Sequence, residues 1–209
     1  TAVDGGTMHV AAQLIGVHSM ERLLYDALGQ NESLTVRGAG RFVHTPGADR
    51  DEGTVQLDNW LAITYLDLGL AGTVTVDGTG AGDMLVALGT ESSDAISAAL
   101  TGNDAISVVL TSSLGTHVTL HSVAVESYTL NGLEGDDDIT FTPAGFTVTG
   151  TVSVFGGGPG GSDTLVISGD TDAATVTVAP DGTDSDDQTV AGIVMNPINV
   201  SGIERIRYA

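Results

Sequence analysis

Self-similarity constrains this chain more than any other feature, because a segment that recurs must find equivalent surroundings each time it occurs. The stretch ERLLYDALGQNESLTV, from Glu21 to Val36, aligns without a gap on ESYTLNGLEGDDDITF, from Glu126 to Phe141, at an offset of 126 − 21 = 105. Leu28 meets Leu133, Leu34 meets Ile139 and Thr35 meets Thr140. A second pairing sets the segment beginning at Gly72 on the one beginning at Gly150, with a two-residue slip in a glycine run. It matches Val74 with Val152, Asp83 with Asp163, Leu85 with Leu165 and Gly102 with Gly182. The closing SGIERIRY echoes VAVESYTL and sets Glu204 on Glu126, at 204 − 126 = 78.

The expected organisation is a lead-in strand or cap over 1–20, a long unit over 21–125, a shorter unit over 126–203 and the first strand of another unit over 204–209. The long unit exceeds the short one by 105 − 78 = 27 residues, and the extra material falls near 37–66, which holds the single Trp60 and the arginines Arg37, Arg41 and Arg50. An insertion of that size is what an added coil or side loop of a repeat protein looks like.

Within a unit, apolar and polar residues alternate in short runs such as TVTVDG, MLVALG, AISAAL, AISVVL, TVSVFG and TLVISG, each closed by Gly, Asp or Pro or by another turn former. Runs of that length and period predict strands joined by tight turns, hence an all-β fold. Equivalent apolar positions recur at wide steps, Leu130 to Val152 to Val176 and Ile139 to Leu165, which suits a parallel β-solenoid or β-helix whose inward Val, Ile and Leu form ladders. Pieces of the type GxDxI recur at Asp94, Asp104 and Asp137, with Ile96, Ile106 and Ile139 two residues on. Tandem β-sandwich domains are the alternative, since a 78-residue unit with several strands can also close on itself. The early HVAAQLIGVHSMERLLYDALG has a helical look, but its alignment with a strand-like copy predicts strand.

Composition narrows function. A formal charge of -21, with six arginines and no lysine against 27 acidic residues, repels phosphate backbones and excludes nucleic acid as a natural partner. The absence of Cys removes disulfides and thiolate metal sites and fits an exported bacterial protein. A first residue other than Met suggests a removed export signal or a fragment. No run of about 18 apolar residues is present to span a bilayer.

Chemistry-bearing motifs are few. Three consecutive aspartates, Asp136, Asp137 and Asp138, follow Gly135 and precede an apolar alternation. A glycine-bent turn with several carboxylates is a half-site for Ca²⁺, which takes six to eight oxygens; the same aspartates can instead cap turns through backbone N–H groups. His9, His18, His44, His117 and His121 form no metal spacing, and His117 and His121, four apart on an expected strand, read as exposed. No nucleophile elbow, P-loop or dinucleotide fingerprint occurs, so no enzyme is expected. The runner-up function is a carbohydrate-binding or polysaccharide-degrading β-helix protein, with Trp60 and Tyr65 as the first place to look for a ligand surface.

GLEGDDDIT resembles the calcium-binding nonapeptide of the hemolysin-type repeat-in-toxin proteins, with Gly132, Gly135, Asp137 and Ile139 at its positions and Leu133 replacing the second glycine. GPGGSDTLV is similar through Gly158, Gly161, Asp163 and Leu165. The resemblance implies Ca²⁺ held by Gly135, Asp136, Asp137, Asp138, Gly161 and Asp163, although the two copies stand 163 − 137 = 26 residues apart rather than in unbroken tandem. The wider cadence, VESYTLNGLEGDDDITF followed by GGGPGGSDTLVISG and VSGIERI, resembles the tandem repeats of very large secreted or surface proteins of planctomycetes and similar bacteria. That resemblance implies an extracellular or cell-surface structural protein, whose units stack on further copies of themselves into a filament, surface layer or adhesin stalk.

Overall fold

The computed structural model describes residues 5–10, 13–18, 23–29, 31–158, 162–169, 177–180, 187–191 and 196–209, with the backbone alone at 5–10, 13–18, 178 and 180. Glu21, Gly161, Val176 and Gly182, singled out above, lie outside the described residues. The described residues are all-β and contain no helix, hence none able to cross a membrane.

The strands are β1 Gly5–Val10, β2 Gln13–His18, β3 Leu23–Asp26, β4 Ser33–Gly38, β5 Arg41–Pro46, β6 Gly53–Leu57, β7 Ile63–Leu66, β8 Thr73–Gly78, β9 Met84–Leu88, β10 Ala95–Gly102 and β11 Ala105–Ser112. They continue with β12 Gly115–Thr116, β13 Thr119–Val123, β14 Ser127–Asn131, β15 Asp138–Thr142, β16 Val152–Phe155, β17 Thr164–Ile167, β18 Thr177–Pro180, β19 Gln188–Ala191, β20 Ile198–Ser201 and β21 Arg205–Tyr208.

Two large mixed sheets hold nearly all of them. One runs β21-β17-β15-β10-β11-β13-β8-β4, with β12 attached to β11; the other runs β18-β19-β20-β16-β14-β9-β5-β6-β7-β3. The β1–β2 hairpin forms a separate two-stranded sheet. From β3 onward the chain alternates between the two large sheets in visits of one or more strands, and single-strand visits add a strand parallel to one laid down earlier. Thus β14 lies between β9 and β16, and β15 between β10 and β17, all parallel.

Three visits are longer. In each, the first strand lands two places ahead and the chain then walks back antiparallel to fill the gap. β10 pairs parallel with β15, β11 runs back, and β13 closes parallel onto β8. β5, β6 and β7 do the same between β9 and β3, and β19 and β20 run back from β18 to β16. The segment 37–66 that interrupts the sequence alignment contains the β5–β7 meander. It is one additional visit, so it reverses the order in which later strands meet the sheets. β8 and β16, aligned through GTVTV and GTVSV, therefore lie in different sheets.

Alternation in sequence becomes alternation in burial. In β14, Tyr128 and Leu130 are buried between partly exposed Ser127, Thr129 and Asn131. Ile139 and Phe141 of β15 stack on Leu165 and Ile167 of β17, and on Ile96 and Ala98 of β10, at matching register. The expected step from Ile139 to Leu165 is a direct rung. The expected step from Leu130 to Val152 is displaced by one alternation, because Leu130 faces Val154 and Tyr128 faces Val152. One apolar cluster contains inward residues of both large sheets. A cavity of about 10 Å³ lies between them, lined by His44 and Ala87 from one and Ile96, Val108, His117 and Leu120 among others from the other.

Packing predicts a contrast between two phenylalanines. Phe141 is fully buried and Phe155 is 39% exposed. Phe141→Ala is expected to cost about 3–5 kcal/mol and Phe155→Ala less than about 1 kcal/mol, read from urea unfolding midpoints. Equal losses would contradict the assigned faces.

Candidate functional site

The aspartate-bearing turns sit where the chain passes from one sheet to the other. Gly78 precedes Asp83, Gly89 precedes Asp94 and Gly132 precedes Asp137, each by five residues; Gly156 precedes Asp163 by seven. In every case the carboxylate folds back over its glycine, so closely that a Cβ on the glycine would collide with the Asp Oδ2. Asp83, Asp94, Asp137 and Asp163 are all buried. This answers why glycine recurs ahead of each one: the space a side chain would fill is taken by a carboxylate.

Register joins these turns into rows. Because Ala95 pairs with Asp138, Asp138 with Thr164 and Thr164 with Arg205, the residues just before them, Asp94, Asp137, Asp163 and Glu204, lie side by side. The backbone N–H of each donates to the carboxylate of the next: Asp94 N to Asp137 Oδ1 at 2.8 Å, Asp137 N to Asp163 Oδ1 at 2.8 Å, and Asp163 N to Glu204 Oε2 at 2.6 Å. A second row in the other sheet runs Gly40 N to Asp83 Oδ1 at 2.6 Å and Asp83 N to Glu126 Oε2 at 2.7 Å. Charge-assisted bonds of this kind are about twice as strong as neutral ones.

Glu126 and Glu204 end their rows identically. Glu126 N and Ser127 N both return to Asp83 O; Glu204 N and Arg205 N both return to Asp163 O. The outer oxygens close the turns locally: Gly80 N donates to Asp83 Oδ2 at 2.9 Å and Thr90 N to Asp94 Oδ2 at 2.5 Å.

The three consecutive aspartates separate in three directions. Asp136 is exposed, donates its N–H to Ser93 Oγ and accepts at Oδ1 from Ser162 N, both at 3.0 Å. Asp137 is buried in the row. Asp138 is exposed, and its N–H binds Asp94 O. Gly135, at φ 125°, lies against the backbone of Ser92 and Ser93, where a Cβ would meet Ser93 N at 2.5 Å.

The carboxylates named as calcium ligands already serve the backbone. The Oδ1 atoms of Asp137 and Asp163 are occupied by N–H donors, and no cluster of three or more acidic or histidine groups able to hold a metal occurs among the described residues. Asp137 Oδ2, buried, has no hydrogen-bond partner; Leu133, whose N–H is near in sequence, takes φ 77° and gives that N–H to Asn131 Oδ1. Burial, followed by the neighbouring charges of Asp163, Asp94 and Asp136, raises the Asp137 carboxyl to about 6, and burial raises Asp163 as well.

Several expectations need correction. Asp104 does not belong with Asp94 and Asp137: it sits at φ 52° in the β10–β11 hairpin and binds Thr149 N at 2.6 Å and Thr149 Oγ1 at 2.7 Å. His117 is neither exposed nor on a strand. It lies buried between β12 and β13, with Nε2 on Ser112 Oγ at 2.9 Å and Nδ1 without a partner. His44, also buried, bonds Tyr65 Oη at 2.7 Å, and burial, then nearby His117, lowers it to about 4. Tyr65 is fully buried and cannot share a ligand surface with Trp60, which is 49% exposed. Sequence reasoning named Asp137 and Asp163 but passed over Asp83, Asp94, Glu126 and Glu204 as parts of the rows; the recurring five-residue Gly-to-Asp spacing was the available signal.

No family profile, no curated protein and no solved structure matches the chain.

Two predictions follow from the turns. Asp137 has a folded-state pKa above its ordinary 3.8, so it stabilises the fold below that value and the contribution is lost as pH rises through about 6. Asp137→Asn, which keeps Oδ1 as acceptor and removes the charge, should raise Tm by several degrees at pH 8 and change it little at pH 4, by calorimetry across pH. Gly132→Ala should destabilise by about 3 kcal/mol or more. Gly82→Ala, at φ 82° with open space around it, should cost only about 1–2 kcal/mol; chemical denaturation separates them.

Proposed function

We propose that the chain is part of an extracellular or cell-surface structural protein, folded as a β-solenoid and joined end to end with further copies of itself, serving by assembly rather than catalysis. The observation that carries this reading is the run of parallel rungs laid down by successive crossings. Among the described residues the sheets end at β4 and β21 in one case and β3 and β18 in the other. A sheet edge offers backbone N–H and C=O groups to another strand, and heterologous contacts that do not close generate filaments. The tandem-sandwich alternative has less support, since each crossing adds to rows already begun instead of closing a unit.

Composition agrees with an exported setting: the chain has neither Cys nor Lys and carries a formal charge of -21. The buried carboxylates supply the cross-links that disulfides provide elsewhere, so calcium is not required by this reading.

Sedimentation velocity over a hundredfold concentration range, with negative-stain images, tests it. Rods one molecule wide that lengthen with concentration are expected, with and without chelator. Monodisperse particles throughout would remove the assembly reading, and polysaccharide binding abolished by Trp60→Ala would move the function to carbohydrate recognition.

A further inference from the structure

The chain carries one sequence element twice, and among the described residues builds one place for it. Residues 15–25, IGVHSMERLLY, align without a gap on 198–208, INVSGIERIRY, at 198 − 15 = 183. Ile15 and Ile198, Val17 and Val200, Glu21 and Glu204, Arg22 and Arg205, and Tyr25 and Tyr208 are identical pairs. Backbone pairing agrees independently. In the β1–β2 hairpin Thr7 faces Gly16 and Met8 faces Ile15; in β19–β20 Thr189 faces Asn199 and Val190 faces Ile198, the corresponding register.

Only the second copy is seated on a parallel row behind it. β20 lies on β16, with Ile198 on Val152 and Val200 on Val154; β21 lies on β17, with Ile206 on Leu165 and Tyr208 on Ile167. Among the described residues the first copy has no such support. β1 and β2 pair with each other alone, and an isolated two-stranded hairpin is marginal in water. Among the described residues β3 pairs with β7 alone and ends its sheet, and Leu24 on it is 47% exposed.

We propose that β2 and β3 of one copy occupy β16 and β17 of a second copy, in the place of that copy's own β20 and β21, so that copies join by strand exchange. The inference rests on the end-to-end reading above and specifies its joint. Ile15 would lie on Val152, Val17 on Val154, Leu23 on Leu165 and Tyr25 on Ile167. β3 keeps its pairing with β7 and becomes the bridge between the two molecules' sheets. One copy's strands leave as an equivalent pair arrives, so the exchange replaces like with like, and concentration sets its extent.

The absence of Cys makes the test clean. Val166 faces Arg207 across β17–β21, and Leu24 corresponds to Arg207 at the same offset of 183. Full-length Val166→Cys and Leu24→Cys proteins, each checked for an unchanged circular dichroism melt, are mixed and treated with a short bismaleimide. A second pair, Ser153→Cys with Gly16→Cys, repeats the test on β16 and covers a misfolded variant. A crosslinked heterodimer several-fold above that from Val166→Cys with Leu114→Cys is expected. Crosslinking no greater than this control, under conditions where sedimentation shows association, overturns the exchange and leaves end-to-end assembly standing. No association at any concentration overturns both.

Discussion

Everything in this fold hangs on the amide at the start of each crossing strand. A chain that passes between sheets every dozen or so residues breaks its hydrogen-bond ladder at each corner, and an amide left unpaired in a buried corner costs as much as a lost hydrogen bond. Here the corner amide of Asp94, Asp137 or Asp163 is met by a carboxylate from the adjoining rung. The bond therefore closes a corner and fixes the register of two rungs together. A glycine shortly before each aspartate, five residues for Asp94 and Asp137 and seven for Asp163, is the steric condition for it, since the carboxylate occupies the space over that Cα.

The arrangement concentrates negative charge in a chain with few cations. Direct relief by ion pairs is scarce; Arg37 and Asp77, 3.3 Å apart, form the ion pair seen among the described residues. Repulsion is instead met by backbone N–H dipoles and, at Asp137, by a raised affinity for a proton. His44 and His117 respond to burial in the opposite sense, since both are held below their ordinary values. Acidification thus relieves charge buried in the corner row at Asp137 and, by protonating the histidines, places charge in the seam between the sheets.

Much of this was legible in sequence because it depends on period. Alternation located the strands, and the step from Ile139 to Leu165 is a rung of the sheet. The triple aspartate was recognisable as a turn, but its chemistry was not: sequence spacing does not reveal that the amides of Asp94 and Asp137 point at carboxylates 43 and 26 residues downstream. The antiparallel walk-back strands β6, β11 and β19 were invisible as such, since alternating runs read the same in either direction. His117 was misjudged because β12 ends before it and turns its ring inward.

The β5–β7 meander counts as a single crossing, and that parity governs how any decoration on a longer array would be displayed. A stretch with an odd number of crossings returns its motif on the opposite wall; one with an even number returns it on the same wall. Gaining or losing one such meander would thus rotate every downstream feature by half a revolution while leaving each local contact untouched, giving evolution a way to switch between two-sided and one-sided surfaces without redesigning a single strand.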